Sequence, residues 1–203
     1  MEIEKAIVGP LATNCYIVSE KNEAIVIDPG AEPEKIFSLL SSPLSLIIAT
    51  HAHPDHIGAI WALKNEFPQA KFLLHQADMP LLKKFLPSLK PDGFLKEGKF
   101  PLPTPHFPRR RHSLWRRTAL LSVIHTPGHT PGGICLLGKG VLFTGDTLFA
   151  QGVGRTDLPY SNQEDLIKSL KKLAKLPKDL IIYPGHGESS TLRRLQNQRF
   201  LRG

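Results

Sequence analysis

The stretch Thr50-His51-Ala52-His53-Pro54-Asp55-His56-Ile57-Gly58 packs three imidazoles and a carboxylate into six consecutive residues. Imidazole nitrogens and carboxylate oxygens together suit a divalent cation. A solvated histidine-rich turn is the plain alternative, but three further loops argue against it. His129 lies in Thr126-Pro127-Gly128-His129-Thr130-Pro131-Gly132-Gly133, Asp146 in Thr144-Gly145-Asp146-Thr147, and His186 in Pro184-Gly185-His186-Gly187. All four loops directly follow an apolar run that reads as a strand. Loops held at strand ends by a rigid sheet can bring ligands from distant positions together, and glycines let backbone come close. A lone histidine is more often a satisfied core residue; four such loops point to a metal site.

The elements that must position these loops read in two halves. Strand patterns over 3–8, 14–19 and 24–27 are separated by turns, the last being Asp28-Pro29-Gly30, and suggest a meander. Pro33 opens a helix with Ile36, Leu39 and Leu40 on one face, stopped by Pro43. A strand at 46–49 runs into the histidine cluster, and Ile57, Ile60, Trp61, Leu63 and Phe67 then recur at helical spacing up to Pro68. A strand over 71–74 and a helix over 78–85 follow. From 87 to 117 the pattern dissolves into prolines and arginines, which read as the connection between halves. Strands over 120–124, 134–137 and 141–143 form a second meander. Ser161 and Glu164 make a capping box for a helix carrying Leu166, Ile167, Leu170, Leu173 and Ala174. A strand over 180–183 ends at His186, and a last helix is expected within 190–200.

Composition narrows the function classes. The 203 residues are 41% hydrophobic and long enough for a substantial core. No run approaches the roughly 18 apolar residues of a membrane span, and the first residues lack a signal-peptide pattern, so the expectation is a cytoplasmic protein with no membrane partner. Cys15 and Cys135 sit in strand-like runs and read as buried thiols rather than ligands. The formal charge is +8, with arginines clustered over 109–117 and near 193–202. Such clusters can bind nucleic acid or anionic substrates, but a solvated basic face is the better reading.

On these motifs the chain resembles, over essentially its whole length, the metallo-β-lactamase superfamily, and within it the hydroxyacylglutathione hydrolase (glyoxalase II)-like branch. The resemblance implies an α/β fold, a four-layer αββα sandwich, formed here by a single domain over 1–203 with the metals at one edge between the sheets. It also implies a ligand set. The first ion takes His51, His53 and His129, the second takes Asp55, His56 and His186, and Asp146 bridges both. The Ile27-Asp28-Pro29-Gly30 turn resembles a family element that supports the site without ligating metal, which places Asp28 behind the ligands. His75, His106, His112 and His125 match no ligand position and are expected to be structural or exposed.

Two divalent ions, zinc first with iron and manganese as alternatives, would lower the pKa of a bridging water from 15.7 to about 7 and so supply hydroxide as nucleophile. One ion would polarise the substrate carbonyl, and Asp55 would orient the hydroxide or accept its proton, which makes Asp55 the catalytic candidate. A thiolate, with a conjugate-acid pKa of about 8.5, leaves without strong protonation. With no dedicated general acid in view, a small-molecule thioester is the expected substrate. Against a β-lactamase, Asp146 stands where a common zinc lactamase class uses cysteine.

Two other readings share this fold. A persulfide dioxygenase-like enzyme would hold one iron with His51, His129 and Asp146, and its branch also carries Gly154-Arg155-Thr156-Asp157. A metal-dependent nuclease would use 109–117, with Trp115 among the arginines, but no recognisable RNA-binding appendage accompanies it. The segment Gly152-Val153-Gly154-Arg155-Thr156-Asp157 replaces the Lys- and Tyr-containing grip on glutathione of eukaryotic-type glyoxalase II, and no helical domain follows the last motif. Weak recognition of glutathione is therefore expected, with Arg155 as a substrate-binding candidate for anionic acyl groups.

Overall fold

In the computed structural model, residues 1–20, 22–99 and 121–196 are described; the proline- and arginine-rich stretch 101–117, His106, His112 and the last residues of the expected final helix lie outside them. The opening strands β1 (Glu2–Val8), β2 (Thr13–Glu20) and β3 (Glu23–Ile27) form the expected antiparallel meander. β4 (Leu44–Ile48), β5 (Lys71–His75) and β6 (Gly93–Leu95) then add in parallel, giving a mixed six-stranded sheet in the order β1 to β6. Parallel neighbours need crossovers, which α1 (Pro33–Leu39), α2 (Pro54–Ile57), α3 (Ile60–Glu66) and α4 (Met79–Phe85) supply.

The second half builds another six-stranded sheet from β7 (Gly98–Lys99), β8 (Ser122–His125), β9 (Ile134–Leu137), β10 (Val141–Gly145), β13 (Ile181–Pro184) and β14 (Ser190–Thr191), in the order β14-β13-β10-β9-β8-β7. Its meander β8-β9-β10 is antiparallel and β10 pairs β13 in parallel, across α5 (Gln163–Leu173). A small hairpin of β11 (Leu148–Phe149) and β12 (Gly152–Val153) precedes that helix, and α6 (Leu192–Gln196) follows β14.

Side-chain alternation converts the two sheets into four layers. On β2, Cys15 and Ile17 join the core under α1, α3 and α4, while Tyr16 and Val18 point into the core between the sheets. On β10, Val141 and Phe143 face the same central core, while Leu142 packs with Leu166, Leu170 and Leu173 of α5. Three separate cores thus lie between helices and sheet, sheet and sheet, and sheet and helices, which is the αββα sandwich. A strand with helices on one face and a sheet on the other is buried along its length, and seven of the eight residues of β2 are buried, the polar Thr13, Asn14 and Ser19 among them.

Several local expectations need correction. The helix expected through 57–67 is broken into α2 and α3 at Ala59, whose amide donates to the Pro29 carbonyl at 2.9 Å; Gly58 beside it lets the chain approach Gly30, where a Cβ would collide. The cap of α5 is Asn162, whose side chain accepts from the Asp165 amide at 3.1 Å, while the Ser161 hydroxyl donates to the Leu158 carbonyl. The stretch 87–117 read as the connection does contain the crossing between halves, near 96–97, but two short strands that no pattern announced, β6 and β7, flank it there. The final helix begins only after the short strand β14.

Candidate metal centre

The four ligand-bearing loops leave the ends of β4, β8, β10 and β13, at one edge of the sandwich. They bring all seven predicted side chains together. The donor atoms of His51, His53 and His129 lie within 4.8 Å of one another, as do those of Asp55, His56 and His186, and those of His51, His56 and Asp146. Within the first group, His53 Nδ1 and His129 Nε2 are 3.0 Å apart; within the second, His56 Nε2 and His186 Nε2 are 3.3 Å apart. Asp146 spans both, with Oδ1 3.4 Å from His56 Nε2 and Oδ2 3.5 Å from His186 Nε2 and 3.6 Å from His129 Nε2.

Three of the five rings, those of His51, His129 and His186, are oriented from behind by a hydrogen-bond partner, and His56 faces the Asp28 carboxylate. Thr50 Oγ1 donates to Asp28 Oδ2 at 2.7 Å, so its lone pair accepts from His51 Nδ1 at 3.1 Å and leaves His51 Nε2 with a free lone pair. His129 Nδ1 donates to the Arg155 carbonyl at 2.9 Å, and His186 Nδ1 to the Leu11 carbonyl at 3.0 Å. Asp28 also faces His56 Nδ1 at 3.0 Å and takes the Thr50 amide at 2.6 Å. The carboxylate of Asp28 thus stands behind ligands of both groups.

The second group is braced from the first sheet. Thr13 Oγ1 donates to Asp55 Oδ2 at 3.1 Å, and Thr13 forms a backbone bridge with His186. Asn14 Nδ2 donates to the carbonyls of Pro184 and Gly187, and the Tyr16 hydroxyl donates to Pro184. None of these three residues stood out in the sequence, since a polar residue opening a strand has no signature until its partner 170 positions away is known. Gly185 carries the loop over the site: a Cβ there would lie 2.8 Å from His56 Cε1 and strike the Asp146 carboxylate.

The electrostatics of the groups diverge. Burial and the neighbouring imidazoles, His56 first, push His51 well below its ordinary value. Burial and His129 lower His53 to about 4. His56 is fully buried, yet Asp146, Asp28 and Asp55 overcome the burial cost and raise it to about 9. Hydrogen bonds to Asp146 and Asp55 raise His186 to about 10. Burial works to raise Asp55, but the bond to His186 and the charge of His56 hold it well below the usual carboxylate range.

Two buried atoms test whether a cation fits. His51 Nε2 and Asp146 Oδ1 have no hydrogen-bond partner, and an orphaned buried polar atom costs about 1–3 kcal/mol. Both belong to the same converging triad, where a cation would satisfy them together. Nitrogen and oxygen donors without thiolate suit zinc, iron or manganese.

The Arg155 guanidinium is 63% exposed and held by Asp157 at 2.7–2.8 Å, so it is its carbonyl, not its side chain, that touches the centre. His75 and His125 stack at 4.0 Å between centroids, joining the ends of β5 and β8 across the two sheets. Cys15 and Cys135 are buried, and burial lifts the Cys135 thiol to about 11.

The model of the metallo-beta-lactamase superfamily matches residues 8–186. The chain belongs to that superfamily, a superfamily of metal-dependent hydrolases. It is 36% identical over 200 residues to the hydroxyacylglutathione hydrolase GloC of Haemophilus influenzae, covering 95% of this chain and 93% of that one. Among solved structures, it is similar to the BLEG-1 B3 metallo-beta-lactamase, with a TM-score of 0.82, 29% identity and full coverage of both chains. It is also similar to TTHA1623 in a di-iron-bound form, with a TM-score of 0.76, 33% identity and coverage of 96% and 97%. Among the described residues, no helix is long and apolar enough to cross a membrane.

Proposed function

We propose that the chain is a dinuclear metal-dependent hydrolase of small-molecule thioesters. His51, His53 and His129 hold one ion, Asp55, His56 and His186 hold the other, and Asp146 serves both. The observation that carries this reading is the Asp146 carboxylate, which reaches the two groups with its two oxygens. Bound divalent ions supply a water acidic enough to ionise near neutral pH and a Lewis acid for a carbonyl.

The chain's own residues supply orientation and a proton acceptor. Asp55, ionised and held by Thr13 and His186, accepts a proton from the attacking water or orients it. Asp28, through Thr50 and His56, keeps the imidazoles facing inward. The site's titratable groups are metal-facing bases, and none is a dedicated general acid for an amine leaving group; a thiolate needs none. The likeness to a hydroxyacylglutathione hydrolase supports the same substrate class. Zinc is the first expectation for the metal, and the di-iron relative supports iron as the alternative.

The test is elemental analysis of purified, active protein together with turnover of simple acyl thioesters and of lactoylglutathione. Two ions per chain and hydrolysis of both classes, differing by less than about a hundredfold (roughly 3 kcal/mol), are expected. One iron per chain with oxygen uptake on a persulfide, and no thioester turnover, would overturn the reading.

A further inference from the structure

Asp78 lies outside all four ligand loops, in the turn between β5 and α4, and is fully buried. A buried carboxylate needs donors, and it has three. Oδ2 accepts from the Ala52 amide at 2.9 Å and from Thr130 Oγ1 at 2.9 Å, while Oδ1 accepts from the Gly132 amide at 2.5 Å. Ala52 is the residue between His51 and His53. Thr130 and Gly132 follow His129. One side chain therefore joins the loop from the first sheet to the loop from the second, at the point where His53 Nδ1 and His129 Nε2 approach to 3.0 Å. Gly132 makes the contact feasible: a Cβ there would lie 2.6 Å from the Asp78 amide nitrogen and 2.7 Å from its carboxylate carbon.

We propose that Asp78 is a positioning residue for the first ligand group, setting the separation between the His51–His53 loop and the His129 loop while touching no metal itself. The proposal rests on the dinuclear reading for its consequence in metal affinity, but its geometric content stands without metal. None of Asp78's bonds reaches Asp55, His56 or His186: Thr13 braces Asp55, Thr13, Asn14 and Tyr16 brace the His186 loop, and His56 faces Asp28. Loss of the Asp78 carboxylate should therefore act on one group and spare the other. Asparagine at 78 keeps one carbonyl oxygen but turns an amide donor toward backbone N–H groups, so at least one bond is lost.

The experiment uses the full chain as Asp78→Asn and, as a milder change that removes a single bond, Thr130→Val. Cobalt(II) titration against a competing chelator reads the two sites separately through visible absorption. Imidazole nitrogen spectra of chelator-treated protein read the ring geometry without metal. Asp78→Asn should weaken one of the two cobalt sites 10- to 100-fold and leave the other within threefold. It should also shift the His51, His53 and His129 resonances while sparing His186. Thr130→Val should do the same in smaller measure. Equal weakening of both sites, or a lower melting temperature with unchanged cobalt affinities and imidazole spectra, would overturn the proposal. Shifted His53 and His129 resonances in Asp78→Asn, alongside a parent chain that itself binds no cobalt, would instead uphold the positioning and overturn the dinuclear reading.

Discussion

His51 and His53 sit among other imidazoles, whereas His56 and His186 sit among carboxylates, and the two surroundings move the same side chain in opposite directions. The first pair is held neutral near pH 7, ready to donate a lone pair. The second pair is held protonated by Asp146, Asp28 and Asp55. The same carboxylates that favour a proton on these rings also favour a cation between them, so the second group exchanges one positive charge for another. Two halves of one centre can thus be alike in ligand count and differ in how their occupancy depends on pH.

The largest effect should come from removing the residue the halves share. Asp146→Ala should abolish stoichiometric binding of both ions and lower thioester turnover on the order of a thousandfold or more; loss of one ion only, by elemental analysis, would make Asp146 a ligand of one half. Next in size is Asp55→Asn, on one side of the comparison. Turnover should fall on the order of a hundredfold, with the affinity of the first group changed little. Because Asp55 also partners His186 and Thr13, the chelator-treated variant should melt below the parent.

The comparison is sharpened by pH. In chelator-treated protein, the folded values of about 9 for His56 and about 10 for His186 stand above the ordinary 6.5. Their stabilisation is therefore fully present below about pH 6.5 and lost as pH rises through 9 and 10. His53, lowered to about 4, acts the other way: its contribution is present above 6.5 and lost as pH falls toward 4. Melting temperature should decline on both flanks. Saturating metal should remove the alkaline decline, since bound metal replaces the protons. Metal uptake at pH 7 should release protons from the second group and few from the first, measured by calorimetry in buffers of different ionisation enthalpy. Equal release from both sites would break the contrast. The smallest effect is expected from Arg155→Ala, because Asp157 already neutralises the guanidinium and the His129 contact uses the backbone. KM for an anionic thioester should change less than about threefold, as expected for an exposed ion pair.

The seven converging side chains were legible in sequence because each is a His or Asp in a glycine-flanked loop after an apolar run. The two meanders were legible because their inner strands carry short apolar runs, such as Cys15 to Val18 and Val141 to Phe143, between turns. β6 and β7 were not: three and two residues long, they are sheet edges held by neighbours rather than by any pattern of their own. The braces were hidden for a related reason. Asp78 reads as an ordinary acidic residue at a helix start, and Thr13 and Asn14 as strand openers, because their partners lie 26 to 173 positions away. The stack of His75 on His125 likewise depends on how two sheets face each other, which no local window encodes.

The bridge from Thr13 to His186 and the Asn14 bonds to Pro184 and Gly187 tie the start of the chain to its far end, and this has a consequence for assembly order. Contacts over such separations close slowly, because the loop entropy must be met before they return anything. A ribosome releases the His51–His56 stretch long before the strand carrying His186 exists. Metal meeting the emerging chain finds only the His51–His56 loop, and the second group is complete only once the loop after β13 has docked against β2. On the dinuclear reading proposed above, metal loading at that group is accordingly a late event, governed by completion of the sandwich rather than by the abundance of the ion during synthesis.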